Sequence, residues 1–263
     1  MIELKDINRK DKILIAAHRG DQTKAVENTL QAFDDAIAAG VDMIETDVHI
    51  TKDKRLILFH NSFVNHANKK IAINELSFAE IQKIEMFDRE SKAKIAIPEL
   101  SDLLKLAKNK CYLNIEIKRN NIFSNQEYID TVLDSIAKHG ELSQLIFASF
   151  YYDLLEEFKK KSSDILTAGI RIPRQPLSPI ELVNMIGIDA YITSLSSLNL
   201  EITANAQKAG VILGAYSIDN EKHFQKALKY GVTAMGTNKA SEMVKIVEKY
   251  NKKQYNKEQG KKP

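Results

Sequence analysis

Apolar and polar positions follow two alternating patterns along this chain. Short, nearly continuous apolar runs, typical of buried strands, alternate with segments in which apolar residues recur every three or four positions, as on one face of a helix. The apolar runs predict strands near 13–18, 43–49, 111–118, 144–150, 165–170, 190–193, 211–217 and 233–237. Helical patterns fill the intervals, and the later ones predict helices over about 178–186, 200–209, 220–230 and 240–250.

This order of elements predicts the fold class. Eight strands alternating with helices over about 250 residues is the arrangement of a (β/α)8 TIM barrel. A doubly wound sheet alternates too, but it usually has fewer strands and often a glycine-rich first turn, whereas the first turn here reads His-Arg-Gly at 18–20. With no internal repeat and no linker rich in Pro, Gly or Ser, we predict an α/β protein with a single barrel domain over 1–250.

The segment after the second predicted strand breaks the alternation. The stretch TKDKRL at 51–56 is too short for a helical crossover, so it is predicted to turn a β-hairpin between two apolar strands. If the turn is centred on Asp53 and Lys54, Asp47 lies opposite His60 and both side chains point to one face. This expectation depends on the register, because a shift of one residue would separate the pair.

Composition describes an ordinary soluble globular protein, with 44% hydrophobic and 28% charged residues. The formal net charge of +3 comes from the last residues: the segment 251–263 has five Lys and one Glu, a charge of +4, which leaves −1 for the body. Nucleic-acid binding requires a basic face on the folded body and is therefore not expected. We predict that 251–263 is a basic, disordered tail.

Cysteine usage and hydropathy bear on the compartment. Cys111, the only cysteine, excludes an intramolecular disulfide, and its position in an apolar run predicts a buried thiol. No stretch approaches the ~18 consecutive apolar residues of a membrane span. The first apolar run, 13–17, is shorter than a signal-peptide core of about 7–15 residues. We therefore expect a cytoplasmic protein.

Acidic residues stand at the ends of two predicted strands, where a buried core normally excludes charge. Glu45 and Asp47 are two residues apart, so they point to the same side of their strand. Buried carboxylates repel each other unless a cation or a shared proton lies between them, and such oxygen ligands favour Mg²⁺ or Ca²⁺. An exposed acidic pair is the alternative. Glu116 and Lys118 repeat the spacing, and predict either a third metal ligand with a phosphate contact, or an internal salt bridge or solvated strand end.

Two histidines also close apolar runs. A single histidine is more often structural than catalytic, but His18 and His60 both stand at strand ends near acidic residues, and histidine exchanges protons near neutral pH. Arg19 is a fork-shaped cation suited to phosphate oxygens, or alternatively to a surface salt bridge. A metal site with two histidines, an arginine and a lysine favours phosphoryl-transfer chemistry. No comparable setting surrounds His49, His66, His139 and His223.

A series of short motifs extends this pattern through nearly the whole chain. They are His-Arg-Gly at 18–20, Glu-Asn-Thr at 27–29, Ile-Glu-Thr-Asp-Val at 44–48, Thr-Lys-Asp at 51–53, His60, Ile-Pro-Glu-Leu at 97–100, Ile-Glu-Ile-Lys at 115–118 and Ser-Phe at 149–150. In order and spacing, the motifs resemble the glycerophosphodiester phosphodiesterase family from about Ile13 to the last predicted helix.

The resemblance implies a (β/α)8 barrel with a short insertion after the hairpin, here about 61–97. It also implies hydrolysis of a small-molecule glycerophosphodiester to glycerol 3-phosphate and an alcohol, with one divalent cation, Mg²⁺ or Ca²⁺. The implied residues are Glu45, Asp47 and Glu116 as metal ligands, His18 and His60 as the general acid/base pair, Arg19 and Lys118 at the phosphate, and Glu27 and Asn28 at the mouth of the site.

Four features depart from the family's usual pattern. Asn61 stands where Asp usually follows the second histidine, Val26 replaces a Pro, Tyr216 lies near the place of a late Trp, and the closing Thr-Asp-x-Pro reads Thr237-Asn238-Lys239-Ala240. All the implied metal ligands and histidines are present. The departures fall mostly on residues that orient or line the pocket, so they bear on substrate and rate more than on the chemistry.

Three functions fit this sequence. The first is metal-dependent hydrolysis of glycerophosphodiesters. The second is phospholipase-D-like action on lysophospholipids, which would use the same histidines and metal ligands. The third is a non-catalytic module that binds phosphodiesters, and it is kept open by Asn61 and the altered closing motif.

Overall fold

The computed structural model describes residues 13–66, 69–89, 91–174 and 176–258. The strands in these ranges are β1 Leu14–His18, β2 Met43–Ile50, β3 Leu56–Leu58, β4 Phe63–His66, β5 Lys69–Ala72, β6 Met86–Phe87, β7 Lys94–Ile95, β8 Tyr112–Ile117, β9 Leu145–Ser149, β10 Thr167–Ile170, β11 Ala190–Ser194, β12 Ile212–Tyr216 and β13 Ala234–Thr237. The helices are α1 Leu30–Ala39, α2 Phe78–Ile81, α3 Leu100–Ala107, α4 Asn125–His139, α5 Tyr152–Lys161, α6 Pro179–Ile186, α7 Leu200–Ala209, α8 Glu221–Lys229 and α9 Ala240–Glu258.

Eight of these strands form a closed, parallel barrel. Around its wall they follow the order β1, β2, β8, β9, β10, β11, β12 and β13, and β13 pairs with β1 to close the ring. The predicted (β/α)8 fold is therefore confirmed. Each predicted barrel strand lies within two residues of the observed one at both ends, because a strand buried on both faces is a nearly continuous apolar run.

The barrel interior changes from apolar at the amino ends of the strands to charged at their carboxyl ends. Residues two apart on a strand share a face, so the interior face of β2 reads Met43, Glu45 and Asp47 in order. Met43 packs with small and apolar side chains of the neighbouring strands, such as Ala16 and Ile146, which fill the lower barrel. β8 repeats the change from apolar to acidic. The sequence alternation thus directs the acidic side chains to the carboxyl ends of the strands, which form the upper end of the barrel.

The helices cover the outer face of the barrel and enclose the main hydrophobic core. Helix α1 is typical: the Thr29 hydroxyl caps it by accepting from the Ala32 N–H, and Gly40 ends it with a φ of 84°, a left-handed conformation that glycine adopts readily. Its apolar stripe, which includes Phe33 and Ala36, is fully buried against the barrel. The loop before α1 is thereby held at the upper rim.

The hairpin formed by β2 and β3 is present, but its predicted register was wrong by one residue. Val48 pairs with Leu58, so Asp47 is aligned with Phe59, whose N–H donates to the Asp47 carbonyl oxygen at 3.0 Å. The turn has five residues rather than the predicted even number, because Lys54 adopts a φ of 61° and donates its N–H to the Thr51 carbonyl oxygen. This left-handed residue adds the extra position.

The predicted insertion, 61–97, builds a small unit beside the upper barrel. It contains the β4–β5 hairpin, α2 and the β6–β7 hairpin. Its apolar residues pack with Ile57 of β3 in a core of their own, formed by Ile57, Val64, Ile73, Leu76, Ile81 and Ile97.

The predicted disordered tail begins too early. Helix α9 continues to Glu258, so 251–258 are helical, and 259–263 lie outside the described residues. Lys, Gln and Glu in this stretch are good helix formers, which allows the helix to extend beyond its packed face. Among the described residues, no helix combines the length and apolar character needed to cross a membrane.

Candidate active site

Three buried carboxylates meet at the upper end of the barrel. Glu45 and Asp47 come from β2 and Glu116 from β8, and the parallel register aligns Asp47 with Glu116. The ligand oxygens of the three lie within 4.8 Å of one another. Asp47 is fully buried, and Glu45 and Glu116 are only 8% and 7% exposed. The alternative of an exposed acidic pair is therefore wrong.

Two cations pair with this cluster. The Lys118 ammonium lies 2.7 Å from Asp47 Oδ1 and also contacts Glu116 Oε1, while Arg19 Nε lies 3.0 Å from Asp47 Oδ2. Burial alone would raise the pKa of Asp47, but Lys118 and Arg19 together hold that pKa below its usual value. Asp47 is thus the fixed anion at the centre of the site.

The other two carboxylates are less well compensated. Burial, reinforced by the charge of Asp47, raises the pKa of Glu45. Burial also raises the pKa of Glu116, against the opposing effect of Lys118. Three carboxylates against two cations leave one negative charge in excess, and a divalent cation on their oxygens would stabilise the ionised forms. The donor set therefore fits a metal ion with oxygen ligands.

His18 ends β1 and faces the cluster. Its Nε2 lies 3.9 Å from Glu45 Oε2, and its Nδ1 lies 2.7 Å from Asn238 Oδ1. The ring of Tyr216 stacks on the imidazole at a centroid distance of 6.1 Å and an angle of 18°. Burial and then the charge of Arg19 lower the pKa of His18. These effects favour a neutral imidazole in a fixed orientation.

The loop between β1 and α1 brings Arg19, Glu27 and Asn28 to the site. Arg19 Nη1 donates to both oxygens of Glu27, at 3.2 and 3.1 Å, and the Glu27 side chain is 36% exposed at the mouth. Asn28 lies beneath the mouth instead: it is buried, its Nδ2 donates to Asp47 Oδ2 at 2.8 Å, and its Oδ1 accepts from the Thr46 hydroxyl. Asn28 thus holds the central carboxylate.

His60 follows β3 and remains beside the cluster despite the changed register. Its side chain is half-buried, and burial lowers its pKa while the charge of Asp47 opposes that change. The next residue, Asn61, is exposed. His49, which received no role from the sequence, is buried on the face of β2 that carries Asp47, and burial together with Lys118 lowers the pKa of His49 to about 4.

Sequence reasoning assigned no role to Asn238, Tyr216 or Arg89, although the first two were noted as departures from a family pattern. Asn238 reaches His18 because β13 pairs with β1, with Thr237 aligned to Ala17, and Tyr216 ends β12, the next strand around the ring. Arg89 comes from the insertion, donates to the Gln22 carbonyl oxygen at 2.8 Å, and lines a cavity of about 500 Å³ beside His18. Closure of the predicted barrel was the available signal for Asn238, since it makes the ends of the first and last strands neighbours.

Known proteins resemble this chain along nearly its whole length. The profile of the glycerophosphoryl diester phosphodiesterase family matches residues 18–242. A glycerophosphodiester phosphodiesterase from Caldanaerobacter subterraneus subsp. tengcongensis is 28% identical over 244 residues, which cover 90% of this chain and 99% of that protein. One from Bacillus altitudinis is 27% identical over 242 residues, covering 89% and 98%. Among solved structures, a phosphodiesterase from Oleispira antarctica in complex with the product sn-glycerol-3-phosphate has a TM-score of 0.78 at 20% identity, covering 89% of this chain and 96% of that one.

Proposed function

Because this chain belongs to the glycerophosphoryl diester phosphodiesterase family and is therefore a phosphoric diester hydrolase, we propose that it cleaves glycerophosphodiesters to glycerol 3-phosphate and an alcohol at the upper end of its barrel. One divalent cation, Mg²⁺ or Ca²⁺, would be held there. The observation that supports this most directly is the cluster of three buried carboxylates, Glu45, Asp47 and Glu116, whose ligand oxygens lie within 4.8 Å of one another.

The cations of the site are proposed to serve both the carboxylates and the substrate phosphate. When bound, the divalent ion would polarise a phosphoryl oxygen as a Lewis acid. Arg19 and Lys118 already hold Asp47, so they fix the metal ligands. We expect their charges to contact the phosphate oxygens of a bound substrate and to offset the charge that develops during transfer. Glu27 would keep the Arg19 fork in place.

His18 and His60 are proposed as the general acid/base pair. One of them would accept the proton of the attacking hydroxyl, which belongs either to water or to the glycerol moiety, and the other would protonate the departing alcohol. The pKa of each is lowered, mainly by burial, which favours the neutral imidazole that can accept a proton.

Release of glycerol 3-phosphate tests the proposal. Metal-stripped protein is assayed on glycerophosphocholine and glycerophosphoethanolamine with Mg²⁺, Ca²⁺, Mn²⁺ or EDTA. We expect metal-dependent release, and a loss of about 100-fold or more in His18→Ala and His60→Ala. His139→Ala is the matched control, because His139 ends α4 outside the barrel. Far-UV circular dichroism checks that each variant is folded.

Two results would replace the proposal. Preferential cleavage of lysophosphatidylcholine, measured as choline release, would establish the phospholipase-D-like activity. Binding of glycerol 3-phosphate by isothermal titration calorimetry, with no turnover under any metal, would establish a binding module.

A further inference from the structure

A chain of polar side chains runs from His18 away from the carboxylate cluster. Asn238 Oδ1 lies 2.7 Å from His18 Nδ1, and Asn238 Nδ2 donates to Asp219 Oδ2 at 3.0 Å. His18 is the last residue of β1, and Asp219 and Asn238 come from the loops after β12 and β13. The side of the imidazole that faces away from the reaction is therefore held by a connected network.

Asp219 determines which end of the Asn238 amide faces it. Its Oδ1 accepts from the Asn238 backbone N–H at 2.7 Å and from the Thr237 hydroxyl at 3.1 Å. An ionised carboxylate has no hydrogen to donate, so the amide group that meets Oδ2 must be the NH₂. The oxygen of Asn238 must then point towards His18.

Gln22 requires the same orientation of the Asn238 amide, independently of Asp219. Its Nε2 donates to the His18 carbonyl oxygen at 2.8 Å and to Asn238 Oδ1 at 3.1 Å. A backbone carbonyl only accepts, so the NH₂ end of Gln22 must lie here, and its second hydrogen meets an acceptor on Asn238. Two neighbours on opposite sides of Asn238 thus require one orientation of its amide.

This orientation has a consequence for the imidazole. A ring nitrogen that faces the amide oxygen must carry the hydrogen, and a neutral imidazole has only one N–H. We propose that Asp219 and Gln22 fix the Asn238 amide, that the amide holds His18 as its Nδ1–H tautomer, and that His18 is therefore the proton acceptor of the reaction. Asp219, Gln22 and Asn238 are positioning residues, because they act through His18. The inference rests on the proposed hydrolysis.

The Nδ1–H tautomer of His18 determines how the protons move while the bonds to phosphorus are exchanged. As the attacking hydroxyl oxygen forms its bond to phosphorus, its proton moves to the Nε2 lone pair of His18, which faces the cluster beside Glu45. The bond from phosphorus to the alcohol oxygen breaks, and that oxygen leaves with the electron pair and takes a proton from His60. A His18 with its hydrogen on Nε2 would present no lone pair to this step.

The first test needs no variant. Long-range ¹H–¹⁵N NMR of metal-free protein, labelled on histidine nitrogen and recorded where His18 is neutral, distinguishes the protonated ring nitrogen from the bare one. We expect a hydrogen on Nδ1 and a bare Nε2. A hydrogen on Nε2 in the unmodified protein would overturn the inference. This measurement involves no substrate, so it stands apart from any failure of the proposed hydrolysis.

The second test is a reciprocal exchange. Asp219→Asn combined with Gln22→Ala removes both groups that fix the Asn238 amide, so the Nε2–H tautomer should appear and kcat should fall on the order of 100-fold with little change in KM. Combining Asp219→Asn with Asn238→Asp places an acceptor against His18 again, and should restore the Nδ1–H signal and bring kcat to within about tenfold of the original.

A matched control separates this effect from general damage. Asp189→Asn makes the same change at a carboxylate that accepts from Lys159 and the Thr167 N–H at the amino ends of the strands, and should leave the His18 signals unchanged. A folded protein with both Asp219→Asn and Gln22→Ala that keeps the original tautomer and the original kcat would overturn the inference.

Discussion

Glu45 and Asp47 share one face of one strand, yet their surroundings shift their pKa values in opposite directions. Asp47 meets Lys118, Arg19 and the Asn28 amide, and these neighbours stabilise its ionised form. Glu45 is buried beside that charge, and its raised pKa means that its ionised form costs folding free energy at neutral pH. Neighbouring carboxylates therefore contribute to stability in opposite directions.

Substitution of these two carboxylates by amides should change the stability of the protein in opposite directions. In EDTA, Glu45→Gln should raise Tm by roughly 2–4 °C, because it removes a buried, poorly compensated charge worth on the order of 1 kcal/mol. Asp47→Asn should lower Tm by roughly 6–12 °C, since it leaves the Lys118 ammonium and the Arg19 guanidinium without their central partner, at a cost of about 3 kcal/mol. Thermal melts followed by circular dichroism measure both shifts. Equal shifts in the same direction would contradict this account of the cluster, and added Mg²⁺ or Ca²⁺ should stabilise the original protein more than Glu45→Gln.

The thiol of Cys111 offers a second check at this scale. It is buried at 2% exposure, and burial raises its pKa to about 12, so the reactive thiolate is scarce. We expect no labelling by iodoacetamide at pH 8 in the native state, and stoichiometric labelling in guanidinium chloride. Mass spectrometry counts the adducts, with glutathione as the positive control. Rapid native labelling would mean that the start of β8 opens readily.

Single residues on the strands were predictable because they depend on a period of two. Glu45, Asp47, Glu116 and Lys118 could be assigned to one face from spacing alone, and the structure brings them together. The depth of Asn28 was not predictable, because it depends on the positive φ of 55° at that residue and on the path of a loop. Spacing determines the face of a strand, whereas a loop conformation depends on its tertiary contacts.

At the scale of elements, the loop after β1 fastens the last helix to the first strand. Asp21 Oδ2 accepts from the Ser241 N–H at 2.9 Å in the first turn of α9, and its Oδ1 accepts from the Thr23 N–H at 3.0 Å. Burial acts to raise the pKa of Asp21, but the bonds from Ser241 and Thr23 outweigh it and lower that pKa below its usual value. The ionised form of Asp21 is therefore the one that joins the two elements.

Asp21→Asn should destabilise the protein by about 1 kcal/mol at pH 7, the typical net value of such a bond. Because the pKa of Asp21 is depressed in the folded state, its contribution is present above the unfolded pKa of ~3.9 and is lost as pH falls through the folded value. The difference between the two proteins should therefore shrink below about pH 4. Urea unfolding at pH 7, 5 and 3.5 measures it, and a difference that does not change with pH would contradict the role of the charge.

Element boundaries were predicted well in the barrel and poorly where local turn geometry decides. The strand ends follow from burial on both faces. The hairpin register follows from the left-handed Lys54, which periodicity does not encode, and the extension of α9 to Glu258 follows from helix propensity without packing. Asn238 could be assigned to His18 only after the closure of β13 on β1 was considered.

At the scale of the whole molecule, the barrel and the insertion differ in the size of the hydrophobic core that stabilises each of them. The main core connects strands and helices around the ring, whereas the insertion packs on six buried residues and its two hairpins pair only with themselves. Regions with few buried apolar groups open at lower free energy than a central sheet. The insertion also supplies Arg89 to the cavity beside His18, so its opening would expose one side of the site.

Hydrogen exchange monitored by mass spectrometry should detect this difference. Amides of 69–72 and 86–89 should exchange at least tenfold faster than those of β2 and β8, which corresponds to an opening free energy lower by about 1.4 kcal/mol or more. Peptides from β12 serve as an internal reference for the ring. Equal protection of the insertion and the barrel strands would mean that the two unfold as one cooperative unit.

Because β13 pairs with β1, the barrel can close only after its last strand has been translated. His18 is translated first, and its partner Asn238 follows 220 residues later. Until β13 has left the ribosome, the ring remains an open sheet with an unpaired edge on β1, and such long-range closure comes late in folding. The growing polypeptide therefore holds the three clustered carboxylates long before it holds a complete candidate active site, and prematurely terminated translation products lack the strand that would complete it.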